Sequence, residues 1–294
     1  MSPHRTALTS AHIAAVLFGL TGIFGALIHA SATVITCGRA LFAVFALLGF
    51  AWWQGRRVVG GLPRRKLLVC LVTGLLLASH WVTFFVAVKV GGVAVATLGF
   101  ASFPAFIALL DRLVFRERIG AVQTVLLAMV TLGLILVTPS FDIGDQGTVG
   151  LLWGLASGLS FALLAMMNRR GTRGIDAMQV AFWQNATVAL LTLPFALHGV
   201  ASLGAAAWIN LALLGVFCTG LSQYLFIKSL DHLDARSAGM IIALEPVYAI
   251  ACAWWLFHDQ PSLRMLCGAA LIILAIIWSA RAKAAPTGAA ATHG

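Results

Sequence analysis

The sequence predicts an all-α integral membrane protein, in which ten transmembrane helices form two inverted five-helix repeats and both termini are cytoplasmic. Three observations carry this prediction: the composition, the number of apolar runs and the distribution of positive charge. Hydrophobic residues make up 61% of the 294 residues and charged residues only 10%, whereas soluble domains contain about 25% charged residues. The composition therefore disfavours a large soluble domain, a disordered chain and a nucleic-acid-binding protein.

Ten apolar runs, each bounded by charged or turn residues, follow one another along the chain. We call them spans 1 to 10, and they cover residues 10–30, 32–54, 66–88, 92–112, 119–138, 147–168, 178–198, 206–229, 236–257 and 263–281. A membrane helix needs about 20 apolar residues, so each run predicts one crossing. The first run is too long for the apolar core of a signal peptide and lacks a clear cleavage site, so we expect it to be retained.

The positive charges indicate which loops face the cytoplasm. With the N-terminus inside, sixteen of the 19 lysines and arginines lie on the cytoplasmic side, only Lys89 and Arg264 lie outside, and Arg39 lies within span 2. The sixteen are Arg5, Arg56, Arg57, Arg64, Arg65, Lys66, Arg112, Arg116, Arg118, Arg169, Arg170, Arg173, Lys228, Arg236, Arg281 and Lys283. Because cytoplasmic loops of membrane proteins are enriched in Lys and Arg, we expect a multi-pass membrane protein with both termini in the cytoplasm. The net charge of +10 thus reports orientation, and the lipid bilayer rather than nucleic acid is the expected partner.

The sequence offers little sign of a metal, a cofactor or an enzyme. The five cysteines lie inside apolar runs, are odd in number and share no CxxC spacing, so they indicate neither a disulfide framework nor a zinc site. The chain has no GxGxxG, Walker or HExxH motif. An intramembrane enzyme is a remote alternative, because no histidine is placed convincingly as the base for Ser222.

An offset of 142 residues relates the two halves of the chain. At that offset Pro104 of span 4 meets Pro246 of span 9, and the Phe-x-acid triplet at 115–117 meets the one at 257–259. Since each half has five spans, the two halves cross the membrane in opposite senses. Inverted repeats of this kind are common in secondary transporters, where the substrate site lies between the halves near the membrane midplane.

These segments resemble the drug/metabolite transporter superfamily and, within it, the EamA family. The resemblance is carried by Phe103-Pro104 through Phe115-Arg116-Glu117-Arg118, by Glu245-Pro246 through Phe257-His258-Asp259-Gln260, by Arg39 and by Phe18-Gly19. The overall pattern is most similar to bacterial amino-acid exporters of the YddG type, and this similarity implies a location in the bacterial inner membrane. The resemblance implies two EamA repeats, residues 1–141 and 142–294, within one membrane domain. It also implies a central cavity lined mainly by helices 1, 3, 4, 6, 8 and 9, through which aromatic and other neutral amino acids move outward.

Glu245 is the only carboxylate deep in the membrane by these span limits. An ionisable residue at that depth is costly and is a functional-site hypothesis by default. Three interpretations stay open: a protonated structural acid, an ion pair with Arg39, or contact with a substrate amino group or a coupling proton. The long side chain of Arg39 could reach the depth of Glu245, but the sequence does not decide whether spans 2 and 9 face each other.

Other polar and aromatic side chains at membrane depth are candidate cavity residues. In span 3, His80 and Phe84 share one helical face with Trp81 beside it, and the offset matches this region to Ser222 and its neighbours in span 8. The full candidate set is His80, Trp81, Phe84, Trp153, Ser222, Gln223, Tyr224, Glu245 and Tyr248. Ordinary packing and interhelical hydrogen bonding are the alternative for each, and His80 could also titrate near neutral pH.

Prolines and glycines add mechanical predictions. Pro104 and Pro246 each lack a backbone N–H and kink a helix interior, so they are candidate gating hinges, with a purely structural kink as the alternative. Gly150, Gly154 and Gly158 form a small-residue face in span 6 that permits close helix packing.

Together these features predict a carrier that exports small metabolites, amino acids first, by alternating access through a cavity between the repeats. The alternatives are an exporter of cationic drugs or of nucleotide-related metabolites. One central acid is compatible with a cation, whereas the lack of a midplane cluster of Arg and Lys argues against a phosphorylated cargo. Proton coupling and the oligomeric state stay open, and a monomer is compatible with the sequence.

Overall fold

The structure is a computed structural model that describes residues 3–115, 120–138, 140, 142–229, 232–233, 241–242, 244–258 and 260–282. These residues form helices and short turns, with no β-strand among them. Within these described ranges, six helices are long and apolar enough to cross a membrane: Pro3–Leu27, Ala32–Trp53, Arg64–Phe100, Gln146–Asn168, Ala177–Ala201 and Ala205–Phe226. The predicted all-α membrane architecture is confirmed at this level. The acids Glu117 and Asp259 of the two triplets, and the cations Arg116, Arg118, Arg236 and Lys283, lie outside the described residues.

The first two helices follow the predicted spans. Helix α1 extends over Pro3–Leu27 and helix α2 over Ala32–Trp53. Ser31 precedes α2, and its Oγ accepts a hydrogen bond from the Val34 backbone N–H at 3.3 Å. This cap satisfies one of the amide groups that the first turn of a helix leaves without a partner.

Spans 3 and 4 are joined without a loop. Helix α3 covers Arg64–Phe100, and after two turn residues helix α4 covers Phe103–Phe115. A straight helix of 37 residues would be about 55 Å long, well beyond the roughly 30 Å hydrocarbon core of a bilayer. Gly92 interrupts it with φ 81° and ψ 169°, a conformation that residues with a Cβ rarely adopt. Span 3 therefore corresponds to residues 64–91 and the start of span 4 to residues 93–100.

The next three helices match spans 5, 6 and 7. They are α5 at Ala121–Val137, α6 at Gln146–Gly171 and α7 at Ala177–Ala201. Aspartates begin two of them: Asp145 Oδ1 accepts from the Thr148 N–H at 3.0 Å, and Asp176 Oδ1 accepts from the Met178 N–H at 2.8 Å. A carboxylate at this position also interacts favourably with the positive end of the helix dipole.

Span 8 is not a uniform α-helix. Helix α8 covers Ala205–Gly215, a π-helix follows at Val216–Leu221, and helix α9 covers Ser222–Ser229. A π-helical turn widens the backbone by one residue and occurs frequently at functional sites. This π-helix contains Thr219.

The last two described helices are α10 at Glu245–Phe257 and α11 at Leu263–Ala282. The positions of the helix ends correct the prediction that Pro104 and Pro246 kink continuous helices. Each proline is the second residue of a helix, α4 or α10, and a turn precedes that helix. In the first turn a proline has no backbone hydrogen bond to lose, so both prolines restart a helix after a break within their span.

Exchange of the two halves reproduces the pattern of helix packing. Helix α2 packs against α7 and α5 against α11, and in each pair the two helices hold equivalent places in the halves. The packing of α3 against α6 is matched by that of α1 against α9, and the packing of α4 against α6 by that of α1 against α10. The interior of the molecule is therefore formed largely by contacts between the halves.

Glycines allow α6 to lie directly on α3. A Cβ at Gly150 would lie 2.4 Å from the Cα of Gly91, and a Cβ at Gly154 would lie 3.1 Å from the Cα of Gly99. Gly158 continues this face against the end of α3. The close packing predicted for the small-residue face of span 6 is confirmed.

Large apolar side chains cover much of the perimeter. Phe45 is 66% exposed, Leu190 72% and Phe195 75%. Extensive exposed apolar surface is unusual for a soluble monomer and marks a surface that meets another apolar phase. Here that surface belongs to the same apolar helices that are long enough to cross a membrane.

Candidate functional site

A cavity of about 260 Å³ lies where α1, α2, α3, α6, α9 and the start of α10 meet. Its wall consists of Phe18, Thr21, Arg39, Leu77, His80, Trp81, Phe84, Phe100, Phe161, Gln223, Phe226, Ile242 and Glu245. The structure thus brings together several of the candidate residues of both halves: His80, Trp81, Phe84, Gln223 and Glu245. Arg39 joins them at the same cavity.

Aromatic rings form a connected part of the wall. The Phe100 ring lies 4.9 Å from the His80 ring and 5.3 Å from the Phe161 ring, measured between centroids. The Phe84 ring meets Phe100 edge-to-face at 6.1 Å. Such arrangements are favourable beyond their buried area, so this wall is a pre-formed apolar surface for a ligand.

Arg39 is a buried cation on helix α2, with only 4% of its surface exposed. Its Nε donates a hydrogen bond to Thr219 Oγ1 at 2.7 Å, and its guanidinium carbon lies 3.9 Å from the centre of the Trp81 ring. A cation within about 6 Å of a tryptophan face is attracted by the ring. Within the described part of the chain, no acceptor bonds the terminal nitrogens Nη1 and Nη2.

His80 is held on the side of α6. Its Nδ1 lies 2.7 Å from Ser157 Oγ, and the same hydroxyl donates to the backbone carbonyl oxygen of His80 at 3.1 Å. Because the hydroxyl has one proton and uses it on that carbonyl, Nδ1 carries the ring proton and donates to Ser157. This tautomer is assigned from the hydrogen-bond network. It leaves Nε2 as an acceptor on a ring that lines the cavity.

Glu245 and Gln223 supply the remaining polar groups on the side of the second half. Glu245 is the first residue of α10, where the positive end of the helix dipole favours a carboxylate. Its carboxylate makes no hydrogen bond or ion pair with any described residue. Gln223 Oε1 is likewise buried without a hydrogen-bond partner among the described residues.

No direct ion pair joins Arg39 to Glu245 in this structure. Both side chains border the same cavity, and Arg39 is instead held by Thr219 and Trp81. The cavity therefore presents a positive and a negative group that are not directly bonded to each other.

Four candidate residues lie away from the cavity wall. Trp153 is 41% exposed on α6, and Ser222 is fully buried with its Oγ donating to the Cys218 and Thr219 carbonyl oxygens. The Tyr224 ring packs edge-to-face on Phe50 at 4.3 Å. The Tyr248 hydroxyl lies 3.4 Å from His12 Nδ1. These contacts are those of ordinary packing and hydrogen bonding, within span 8 for Ser222 and between helices for Tyr248.

The structure also identifies cavity residues that the sequence argument did not select. They are Thr21, Leu77, Phe100, Phe161, Phe226 and Ile242, together with Phe18, which entered only through the family resemblance. The sequence contained a signal for some of them, because positions related by the 142-residue offset line the cavity in pairs. These pairs are Trp81 and Gln223, Phe84 and Phe226, and Phe100 and Ile242. Ser157 had no such signal. Thr219 is offset-related to the wall residue Leu77, but its role depends on a contact with Arg39 of a distant helix.

A model of the EamA-like transporter family matches residues 5–138 and 148–281. An uncharacterized transporter, YxxF, of Bacillus subtilis (strain 168) is 24% identical over 91% of this chain and 87% of its own. An S-adenosylmethionine uptake transporter of Rickettsia conorii is 25% identical over 82% of this chain and 81% of its own. The pseudopaline exporter CntI of Pseudomonas aeruginosa is 24% identical over 94% of this chain and 98% of its own.

A crystal structure of another protein superposes on the chain with a TM-score of 0.66 at 19% identity, covering 96% of this chain and 99% of that one. At that identity the match shows a shared fold.

Proposed function

The chain belongs to the EamA-like transporter family, and on that premise we propose that it exports small zwitterionic metabolites, aromatic and other neutral amino acids first. The family and the named relatives are transporters, so the chain is a multi-pass membrane transporter and not an enzyme. The finer statements concern the cargo, the direction and the mechanism.

The two opposite charges that border the cavity support the proposal of a zwitterionic cargo. One cation, Arg39, and one anion, Glu245, border a single space of about 260 Å³ without bonding each other. A free amino acid has one carboxylate and one ammonium group, so it complements both charges at once. The volume is just below the roughly 300–1,000 Å³ of pockets for drug-sized ligands, which favours a small metabolite. The ring cluster around Phe100 offers its side chain an apolar wall.

Alternating access between inverted halves fits the way the helices pack. The exchange of halves reproduces the helix contacts, and three offset-related residue pairs line the cavity. A site shared by two such halves opens to one side or the other as one half rocks against its counterpart. The helix breaks before Pro104 and Pro246 lie at equivalent places in the two halves and are the candidate hinges of this motion. Because the cavity lies within one chain, a monomer suffices for transport.

The distribution of Lys and Arg supports an inner-membrane location with both termini in the cytoplasm. In this orientation the basic loop at 54–63 faces the cytoplasm and the turn at 28–31 faces outward.

A nucleoside that carries an amino-acid group is the second candidate cargo. S-adenosylmethionine has such a group, and the relative from Rickettsia conorii is described as its uptake transporter. The aromatic rings of the wall could stack on a purine base. A purely cationic drug fits less well, because Arg39 would place a buried positive charge beside it.

Counterflow in proteoliposomes tests the proposal. The purified full-length chain is reconstituted in liposomes loaded with unlabelled L-phenylalanine, and uptake of labelled L-phenylalanine and L-leucine is measured against protein-free liposomes. We expect saturable accumulation of both, inhibited weakly or not at all by tetraphenylphosphonium. Uptake of labelled S-adenosylmethionine is measured in parallel in liposomes loaded with unlabelled S-adenosylmethionine. Its accumulation without that of either amino acid supports the second candidate, and accumulation of none of the three contradicts both.

A variant that fills the cavity tests whether the cargo passes through it. Phe100→Trp adds volume to the wall and should abolish counterflow, whereas Phe45→Trp, on the 66%-exposed perimeter, should leave it unchanged. Equal counterflow by the two variants would mean that the cargo takes another route.

A further inference from the structure

Arg39 presents hydrogen-bond donors for which the described chain supplies no acceptor. Of its three nitrogens, Nε is committed to Thr219 Oγ1 at 2.7 Å, while Nη1 and Nη2 have no partner among the described residues. Arg39 is only 4% exposed, and Glu245, which borders the same cavity, is too far away to bond it. The charge therefore has a counter-charge nearby but no acceptor for these N–H groups, and buried charged groups are costly unless they are hydrogen-bonded. The uncommitted nitrogens belong to a side chain that lines the cavity, so the missing acceptor is expected there.

The orientation of the guanidinium group is restricted on two sides. The guanidinium carbon lies over the Trp81 ring, 3.9 Å from the ring centre, and Thr219 accepts the hydrogen bond from Nε. These two contacts restrain the guanidinium group and leave its other N–H groups uncommitted, and a pair of parallel N–H donors matches a carboxylate bidentately. A buried lysine could supply the charge but not this fork.

Thr219 reaches Arg39 because of the π-helix in span 8. Its Oγ1 accepts from Arg39 and donates to the Leu214 carbonyl oxygen, five residues back, at 3.1 Å. At the start of the π-helix, Gly215 permits the close approach to α2: a Cβ there would lie 2.4 Å from Phe42 Cβ and 2.6 Å from the Arg39 carbonyl oxygen. The second half of the chain thus positions a cation of the first half.

We propose that Arg39 binds the carboxylate of the cargo through Nη1 and Nη2, and that Thr219 is the positioning residue that orients Arg39 for this contact. The proposal rests on the proposed function and deepens it, because it makes a free carboxylate the requirement for transport. Compounds that keep the ammonium group and the side chain but lack the carboxylate are then poor cargo. Cargo binding then depends on both halves, because the carboxylate contacts Arg39 of α2 and Thr219 of the π-helix in the second half holds Arg39 in place.

Analogues of one amino acid test the proposal on the unmodified protein. Counterflow of labelled L-phenylalanine is challenged with unlabelled L-phenylalanine, L-phenylalaninamide and phenethylamine. We expect the amide and the amine to compete at least about tenfold more weakly, because each loses a charge-assisted bidentate contact. Equal competition by all three overturns the carboxylate assignment while leaving amino-acid transport intact. Absence of L-phenylalanine counterflow contradicts the proposed function instead.

Variants of Arg39 and Thr219 test whether these residues cause the preference for a free carboxylate. Arg39→Gln should raise the KM for L-phenylalanine at least about tenfold and let the amide compete as well as the acid. Thr219→Val keeps the volume but removes the hydroxyl, and should weaken the preference for the acid, whereas Thr219→Ser should restore it. Arg264→Gln, an exposed arginine whose Nη2 donates to the Ile135 carbonyl oxygen at 2.8 Å, is the matched control and should behave as the parent protein.

A folded Arg39→Gln protein that still prefers the acid tenfold overturns the proposal. If that variant does not fold, the analogue series and the Thr219→Val and Thr219→Ser pair decide the matter. Equal preference for the acid in Thr219→Val and the parent protein overturns the positioning role.

Discussion

Ser157 decides which nitrogen of His80 faces the cavity. Its hydroxyl both donates to the His80 carbonyl oxygen and accepts from Nδ1, so the ring cannot present Nδ1 to a ligand. The acceptor Nε2 is therefore available on a ring that Phe100 and Phe161 also restrain. At the residue scale, Ser157, which lies outside the cavity wall, thus sets the position of the ring proton on His80 within the wall.

Ser157→Ala should weaken transport without unfolding the protein. Loss of the hydroxyl leaves His80 Nδ1 with only the longer contact to the Ser157 carbonyl oxygen at 3.3 Å, so the ring is held less firmly. We therefore expect the KM for L-phenylalanine to rise several-fold with kcat little changed, and stability to fall by about 1 kcal/mol. Initial-rate counterflow and thermal unfolding in detergent measure both effects. Ser160→Ala, on the same helix but bonded to Ala156 and Ser79, is the control, and equal changes in KM for the two variants would argue against a role for His80.

The variant Glu245→Gln distinguishes a cargo-binding role of Glu245 from a structural one. If the carboxylate contacts the ammonium group of the cargo, the neutral amide should raise KM by about 10- to 150-fold, equivalent to the 1.5–3 kcal/mol of a charged hydrogen bond. Glu245→Asp keeps the charge and should have a smaller effect. Unchanged transport by Glu245→Gln, accompanied by a large loss of thermal stability, would identify a structural acid instead.

At the scale of elements, breaks and close contacts matter more than continuous helices. Gly92 separates the two parts of α3, the π-helix divides span 8, and prolines begin α4 and α10. Three of these four irregularities adjoin cavity residues, namely Phe100 before α4, Gln223 after the π-helix and Glu245 at the start of α10. Irregular backbone at membrane depth is tolerated where it borders a cavity or is buried in protein.

The contact between α3 and α6 should tolerate no added methyl group. Gly150→Ala places a Cβ 2.4 Å from the Gly91 Cα, so the helices must separate, and we expect a loss of about 1–3 kcal/mol in the free energy of unfolding. Gly49→Ala, also in a helix but with nothing within 4 Å of the added Cβ, should be neutral or stabilising by about 0.5–1 kcal/mol. Reversible unfolding in mixed micelles compares the two, and similar stabilities would contradict the close packing.

At the scale of the whole molecule, the charge pattern predicts the orientation in the membrane, with the turn at 28–31 outside and the loop at 54–63 in the cytoplasm. In a background without the native cysteines, His29→Cys should react with a membrane-impermeant maleimide on intact cells, and Gln54→Cys should react only after permeabilisation. Both positions are exposed turn or helix-end residues, so accessibility to solvent is matched. Labelling of Gln54→Cys alone on intact cells would reverse the proposed topology.

The sequence by itself determined the membrane class, the approximate span limits and the family. These follow from long apolar runs, recurring segments and charge placement, which are local properties of the chain. His80, Trp81, Phe84, Gln223 and Glu245 could also be selected as candidates, because polar and aromatic groups at membrane depth are conspicuous in an apolar sequence.

Only the tertiary structure decided which of those residues share a cavity and what holds them. Tyr224 adjoins Gln223 in the chain, yet it packs on Phe50 while Gln223 lines the cavity. The side chains of Arg39 and Thr219 meet across 180 residues of sequence. The reason is physical: a local pattern sets the type and the approximate depth of a helix, whereas the rotation of each helix about its axis depends on the packing of all its neighbours. Site geometry depends on that rotation.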